Sequence, residues 1–250
     1  MTINGVRNST GVGLLMTLAV LVWTGTAQAQ SLDEIIEAAV EATGGRQAID
    51  RIQSVRFTGS FSMDTEFGPI DGDVEVVIIP NQKIYQGLFS DLFTQRSAWD
   101  GTVAWQSDDF TGTVELTGTA AANVRNQATL DWFQAYQDPA SGDAQYAKAD
   151  DEQVDGRDHF VVEISAGGIP YRYFLDKETY LVTQLMLEID VPEIGGMIEV
   201  TVRVSDYKTF EGVQMAMRSQ LSIPGIYELD MRYSETVING PVDQAIFAKP

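Results

Sequence analysis

From Val55 onward the chain keeps a two-residue rhythm of apolar and polar side chains, and that rhythm confines it to antiparallel sheet with one buried and one wet face. Val55, Phe57, Gly59 and Phe61 alternate with polar neighbours. Val74 to Ile79 and Lys83 to Phe89 flank Pro80-Asn81, a turn signal. Arg96 to Trp99 and Val103 to Gln106 flank Asp100-Gly101, the strongest short hairpin signal in the chain. The second half continues with Phe160, Val162 and Ile164, then Tyr171, Tyr173 and Leu175 leading into the turn Asp176-Lys177-Glu178-Thr179. Leu181, Thr183, Leu185, Leu187 and Ile189 return from it. Ile198 to Val204, Val213 to Leu221 and Tyr227 to Tyr233 repeat the pattern three more times. About ten or eleven strands follow from this count, too many for a flat sheet without strong curvature.

Two stretches break the rhythm. Ser31-Leu32-Asp33-Glu34 has the spacing of a capping box, Ile35, Ile36, Ala39 and Val40 follow at helical intervals, and Gly44-Gly45 stops the helix. A short helical piece over Gln47 to Ile52 comes next. In Ala120 to Gln137, Val124, Ala128 and Trp132 fall on one helical face with Leu130 and Phe133 beside it, and Pro139 lies just beyond. These segments are expected to cover the concave side of the sheet. No low-complexity linker divides residues 30–250, so a single domain is expected there.

The first 29 residues are of another kind. Arg7 is their only charge, Val12 to Trp23 is an apolar run, and Ala27-Gln28-Ala29 is a small-x-small site. That is the layout of a secretory signal peptide over residues 1–29. An apolar run of about twelve residues is too short for the ~30 Å of a bilayer core. The chain has no Cys, so no thiol at the junction can carry a lipid, and the mature protein is expected to be exported without a membrane anchor, into the periplasm of a Gram-negative source.

Composition narrows the chemistry. Acidic residues number 36 against 16 basic, a formal charge of −20 that becomes −21 when the segment holding Arg7 is removed. Such a charge repels the phosphate backbone, so no nucleic-acid partner is expected. Without Cys there is no thiol catalysis and no Cys–zinc site, and a single His159 leaves little for a His-based metal centre or an acid–base relay. His159 reads as an exposed or edge-strand residue rather than the base of a hydrolase. Asp71-Gly72-Asp73, Asp108-Asp109 and Asp150-Asp151-Glu152 lie in turn-like stretches, where Asp satisfies local backbone donors, and none matches a twelve-residue calcium loop. No catalytic residue, metal site or cofactor is therefore assigned.

The apolar supply is less ordinary. Six Met remain after residue 29, and Met215, Met217 and Met231 fall on inward-reading positions of neighbouring strands. Unbranched Met suits either plain core filling or an interior with interchangeable apolar contents, such as a lipid- or acyl-binding cavity. Large aliphatics also occupy turns, which normally carry polar residues: Ile70, Ile169, Ile194, Met197 and Ile226. They are expected to rim an apolar cavity, touch an acylated partner, or fold over the barrel end as a plug.

Several short motifs in order resemble a known family. The helix ending in Gly44-Gly45, then Val55-Arg56-Phe57-Thr58-Gly59, is similar to the opening of the outer-membrane lipoprotein-sorting proteins, the LolA/LolB-like superfamily. Ala98-Trp99-Asp100-Gly101-Thr102-Val103-Ala104-Trp105 resembles its aromatic–Asp-Gly–Trp hairpin, and Val154 to Arg157 with Tyr173 to Leu181 resembles its central hairpin. Ser205-Asp206-Tyr207, Glu211-Gly212-Val213 and the closing Pro241 to Pro250 resemble its last strands. Two positions depart: Tyr180 stands where Gly is usual, and Ala216 where Pro is frequent. Arg56 and Arg96 are candidates for the functional arginine of the lipoprotein carriers.

The resemblance implies a mainly β fold with some α: an unclosed, strongly curved antiparallel half-barrel with a helical lid over an apolar cavity. It implies a periplasmic, non-enzymatic binding or carrier protein for acyl chains, lipid or an acylated lipoprotein. Phe57, Phe61, Trp99, Trp105, Met215, Met217, Leu229 and Met231 are the expected lining, with Trp132 and Phe133 from the covering helix. An envelope sensor that binds a protein partner in the same fold is the alternative, and a secreted hydrolase a third that the residue inventory disfavours.

Overall fold

The computed structural model describes Met1 and residues 30–128, 145–166, 169–191 and 196–250. The expected signal peptide, apart from Met1, lies outside these residues, as do Leu130, Trp132, Phe133 and Ile194.

Helix α1 (Leu32–Thr43) begins on the expected capping box. The Ser31 hydroxyl accepts from the Glu34 N–H at 3.3 Å, and the Glu34 carboxylate accepts from the Ser31 N–H at 2.8 Å. Gly44 ends it at φ 130°, a conformation that disfavours any side chain. A Cβ there would stand 2.1 Å from the Gly212 carbonyl oxygen, so this glycine lets the helix end touch a strand turn. The short α2 (Arg46–Ile49) follows.

The sheet then runs β1 (Val55–Thr65), β2 (Gly68–Ile79), β3 (Lys83–Ser90), β4 (Thr94–Trp99), β5 (Ala104–Asp108) and β6 (Gly112–Leu116). Helix α3 (Gly118–Gln127) interrupts it. After α3 come β7 (Gln145–Lys148), β8 (Glu152–Val154), β9 (Arg157–Ala166), β10 (Ile169–Asp176), β11 (Val182–Val191), β12 (Gly196–Phe210), β13 (Val213–Ile223) and β14 (Tyr227–Ile238). Their order is β6-β5-β4-β3-β2-β1-β14-β13-β12-β11-β10-β9-β7, with β8 also on β9, and every pairing is antiparallel. The 14 strands form one unclosed sheet, with β6 and β7 at its two ends. The alternation count falls short of 14 because β6, β7 and β8 are short and carry almost no buried side chain, so they lack the pattern that marks a strand.

Register shifts bend the sheet. One falls at Thr58/Gly59 between β1 and β14, another at Phe174/Leu175 between β10 and β11. The concave face holds the main core, from Val55, Phe57 and Phe61 through Met215, Met217, Leu229 and Met231 to Val162, Ile164 and Tyr173. Helix α1 packs its Ile35, Ala39 and Val40 into this core and contacts β13. Helix α3 touches β3, β4 and β5 on one arm of the sheet and β10 and β11 on the other, so it straps the two arms together.

The convex face carries a second, smaller cluster of Val77, Tyr85, Ala98, Trp105 and Phe247. The 3-10 turn Gln244–Phe247 near the C-terminus covers it, and the Trp105 indole N–H donates to the Phe247 carbonyl at 2.7 Å.

Candidate functional site

A cavity of about 310 Å³ opens on the concave face beneath α3. The sheet supplies aliphatics on alternate positions: Val76, Ile78 and Ile84 from β2 and β3, Val182, Leu185 and Leu187 from β11, and Val200, Val202 and Val204 from β12. Leu221, Ile223 and Met231 complete that wall. Four tyrosines, Tyr171, Tyr173, Tyr227 and Tyr233, also reach it. The remaining polar lining is uncharged: Gln86, Ser219, and Asn123 and Gln127 of α3. No Asp, Glu, Lys, Arg or His lines the cavity among the described residues.

The polar groups gather under the helix. Asn126, which is buried, donates from its side-chain amide to the Tyr171 hydroxyl at 3.1 Å, and that hydroxyl donates to the Asn123 carbonyl oxygen at 3.4 Å. The Arg125 guanidinium donates back to the Asn126 carbonyl oxygen at 3.3 Å. Burial pushes the Tyr171 and Tyr227 hydroxyls above the usual tyrosine range, so both stay neutral. The cavity thus offers hydrocarbon walls and one patch of neutral donors and acceptors. Hollows of about 550 and 420 Å³ also indent the convex face, but polar and charged groups such as Arg203, Asp206, Gln220 and Asp230 line them.

The expected lining is placed unevenly. Phe57, Phe61, Met215, Met217, Leu229 and Met231 all join the concave core, and of these only Met231 faces the cavity. Trp99 is half-buried against the same core. Trp105 is on the opposite face, a correction with a simple cause. The β4–β5 register pairs Trp99 with Ala104 and Ala98 with Trp105, so Trp105 shares the face of Ala98, and a spacing of six residues across a four-residue loop does not keep two side chains together.

The aliphatics of the turns also divide. Ile169 is buried in the core and Ile70 is half-buried in β2, whereas Met197 and Ile226 are exposed. The two candidate arginines face away from the cavity. Arg56 pairs with Glu75 at 2.6 Å, and the Arg96 guanidinium lies 5.4 Å from the Phe89 ring centre.

His159 corrects a further expectation, since it is buried rather than exposed. Its Nδ1 is 2.9 Å from the Arg157 carbonyl and its Nε2 is 2.8 Å from the Thr183 hydroxyl. A carbonyl only accepts, so Nδ1 carries a hydrogen, and Nε2 is partnered by the Thr183 hydroxyl. That is a fully satisfied imidazole tying β9 to β11. Beside it Asp176, also buried, accepts from the Glu178 and Thr179 N–H groups at 3.0 and 2.9 Å and from Arg157 at 3.3 Å. Burial alone would raise its pKa, but those donors together hold the carboxyl below the usual range.

Tyr180, at the position where the resemblance leads one to expect Gly, has φ 58°. The strain is offset by its ring, stacked 5.7 Å from Phe160, and by its hydroxyl, bonded to the Gln30 side chain at 3.2 Å.

What sequence reasoning missed is the tyrosine and amide lining. Asn123 and Gln127 are four apart on α3 and so share one face, a signal that an apolar-face reading of that helix passes over.

No protein-family model and no curated protein matches the chain. Solved structures do match. A LolA superfamily protein from Nitrosomonas europaea is 13% identical, covers 88% of this chain and 99% of its own, and superposes with a TM-score of 0.57. A Vibrio parahaemolyticus domain assigned to outer membrane lipoprotein sorting gives 12% identity, 85% and 95% coverage and a TM-score of 0.54. A DUF1329 family protein from Desulfovibrio piger gives 11%, 86% and 96%, and 0.57. At these identities the likeness is one of fold, and the fold of this chain is that of the LolA superfamily structures.

Proposed function

We propose that this protein is a non-enzymatic carrier that holds one apolar chain with an uncharged polar end in the concave cavity. The observation that carries the reading is the cavity's chemistry: aliphatic walls, four tyrosines, and an amide–hydroxyl patch beneath α3, with no charged side chain among the described lining residues. A methylene takes up about the ~30 Å³ of a liquid water, so the space suits roughly ten such groups, one acyl chain rather than several. Burying that many gives a gross gain of about 8 kcal/mol before ordering costs. An ester, amide or hydroxyl at the chain's end matches Asn123, Gln127 and the Tyr171 hydroxyl.

Support comes also from the fold shared with a LolA superfamily protein and with a domain assigned to lipoprotein sorting. On this reading residues 1–29 direct export and are removed, residues 30–250 act as one domain in the periplasm, and the cargo is a lipid or one acyl chain of an acylated lipoprotein. The wider core of Phe57, Phe61, Met215, Met217 and Leu229 supports the walls rather than touching the cargo.

Native mass spectrometry of protein recovered from the envelope tests this. A single co-purifying lipid, or uptake of one added monoacylglycerol per delipidated chain, is expected. A delipidated chain that takes up no single-chain lipid overturns the proposal.

A further inference from the structure

The structure assigns a second apolar feature, separate from the cavity: we infer that one end of the sheet docks on a zwitterionic lipid bilayer through a row of hairpin tips. Strand direction puts the β5–β6, β3–β4, β1–β2, β13–β14 and β11–β12 connections at the same end, and in the sheet's order these are five successive hairpins. The first four carry a large exposed apolar side chain in the turn, Phe110, Leu92, Phe67 and Ile226, and Met197 at the start of β12 is exposed as well, from 42% to 92%. A lone exposed apolar residue needs no explanation, but one in each of four neighbouring turns, with Met197 beside them, does. At the opposite end the apices read Pro80-Asn81-Gln82, Asp100-Gly101-Thr102-Val103 and Glu211-Gly212, with no large exposed apolar side chain among them.

Three of the tips share one construction. Thr65-Glu66-Phe67, Ser90-Asp91-Leu92 and Asp108-Asp109-Phe110 each consist of an anchor, an acid and a large apolar residue. In each, the apolar residue's N–H donates to the anchor's side-chain oxygen, at 3.2, 3.2 and 2.8 Å. Each turn is thereby fixed with its apolar side chain outward.

Spacing and charge identify the partner. Successive tips stand two strands apart, at least about 9.5 Å, and further where the register offsets them along the strands, so they form a comb of single points rather than the continuous patch that a protein interface fills. A fluid bilayer accepts such points one by one. The exposed acids Glu66, Asp91 and Asp109 beside three of them repel an anionic surface, which leaves a zwitterionic one. The comb also adjoins the cavity: Ile223 and Tyr227, which line it, pair across the turn that presents Ile226.

Flotation of the exported chain with vesicles of phosphatidylcholine and phosphatidylethanolamine tests the inference. The parent is expected to float, and the triple variant Phe67→Ser, Leu92→Ser, Phe110→Ser to lose about tenfold or more in partitioning, since each removed side chain takes away apolar burial. Phe67→Ser alone should fall between them. Unchanged circular dichroism and melting would show that the variants are folded. Adding phosphatidylglycerol should weaken binding, and salt should restore it. Failure of the parent to float, including a result in which only a protein partner captures it, overturns the inference. So does a triple variant that floats like the parent, or binding that strengthens with phosphatidylglycerol. Lipid uptake by the cavity is read separately, in solution, so either proposal can fail alone.

Discussion

The two faces of the sheet both carry apolar clusters, yet only one is filled by the chain's own residues. On the convex face Phe247 drops onto Trp105, Tyr85 and Val77, and its carbonyl takes the indole hydrogen. The polar part of that face is tied by hydrogen bonds, with His159 reaching Thr183 and Asp176 taking the Thr179 N–H, and the hollow beside them is lined by polar and charged groups rather than by hydrocarbon. On the concave face α1 fills its share, whereas α3 spans the arms and leaves about 310 Å³ beneath it. Protein interiors are normally packed with few voids wider than a water. The convex apolar cluster is packed and the hollows beside it are polar, whereas the concave face keeps an apolar hollow, so substitutions at the two apolar regions should behave differently.

The largest effect is expected at the packed convex cluster. Phe247→Ala should cost about 3–5 kcal/mol, because the residue is wholly buried and a short terminal turn has little means of closing the space. Urea unfolding measures it. Lipid uptake by the folded variant should match the parent, since the cluster shares no residue with the cavity. A small loss of stability combined with lost uptake would erase the distinction between the faces.

Asp176→Asn probes the polar half of the convex face and should cost about 1–3 kcal/mol near neutral pH, as a neutral amide replaces the buried carboxylate that accepts from the Glu178 and Thr179 N–H groups and from Arg157. The pH dependence has a definite sign. The folded carboxyl titrates below its unfolded value of about 3.9, so its contribution is complete above that value and is lost as the pH falls toward the folded one. The gap between parent and variant should therefore narrow in acid. Asp230, held low chiefly by its two-pronged pairing with Arg218 at 2.8 and 2.9 Å, keeps a similar acid dependence in both proteins. A gap that widened in acid would contradict the assignment.

These contrasts also show what could be read from the residues alone. Long strands with one buried face announce themselves, and so do the α1 cap and the Asp100-Gly101 turn, because local chemistry decides each. The face of Trp105 does not, since it depends on the parity of a loop and not on either strand. The Phe247 segment gives no periodic signal at all, and only the finished sheet shows what it covers. The tip residues Phe67, Leu92 and Phe110 are masked in sequence by the acids beside them, whereas the Pro- and Gly-flanked aliphatics stand out although Ile169 is buried. The cavity's walls were not legible, since of the expected lining only Met231 faces it, and its location beneath α3 follows from which arms that helix bridges.

The smallest change in stability, and the sharpest test of the hollow side, is expected from Val202→Trp. Val202 lines the cavity from β12 between Leu185 and Leu221, its partners on the adjoining strands. An indole placed there occupies space that is otherwise empty, so the usual penalty for overpacking a dense core is reduced. Its N–H has an acceptor at hand in the Ser219 hydroxyl or the Gln86 carbonyl oxygen, both on the same lining. Stability should change by about 1 kcal/mol or less, in either direction. Binding of a ten-carbon monoacylglycerol should fall about tenfold or more, which corresponds to about 1.4 kcal/mol. Isothermal titration of parent and variant reads it directly. Equal affinity in the two would mean that cargo does not occupy the space under α3. Since filling a dry, functionless void stabilises without consequence, the loss of binding and not the change in stability is the quantity that separates a binding cavity from a packing defect.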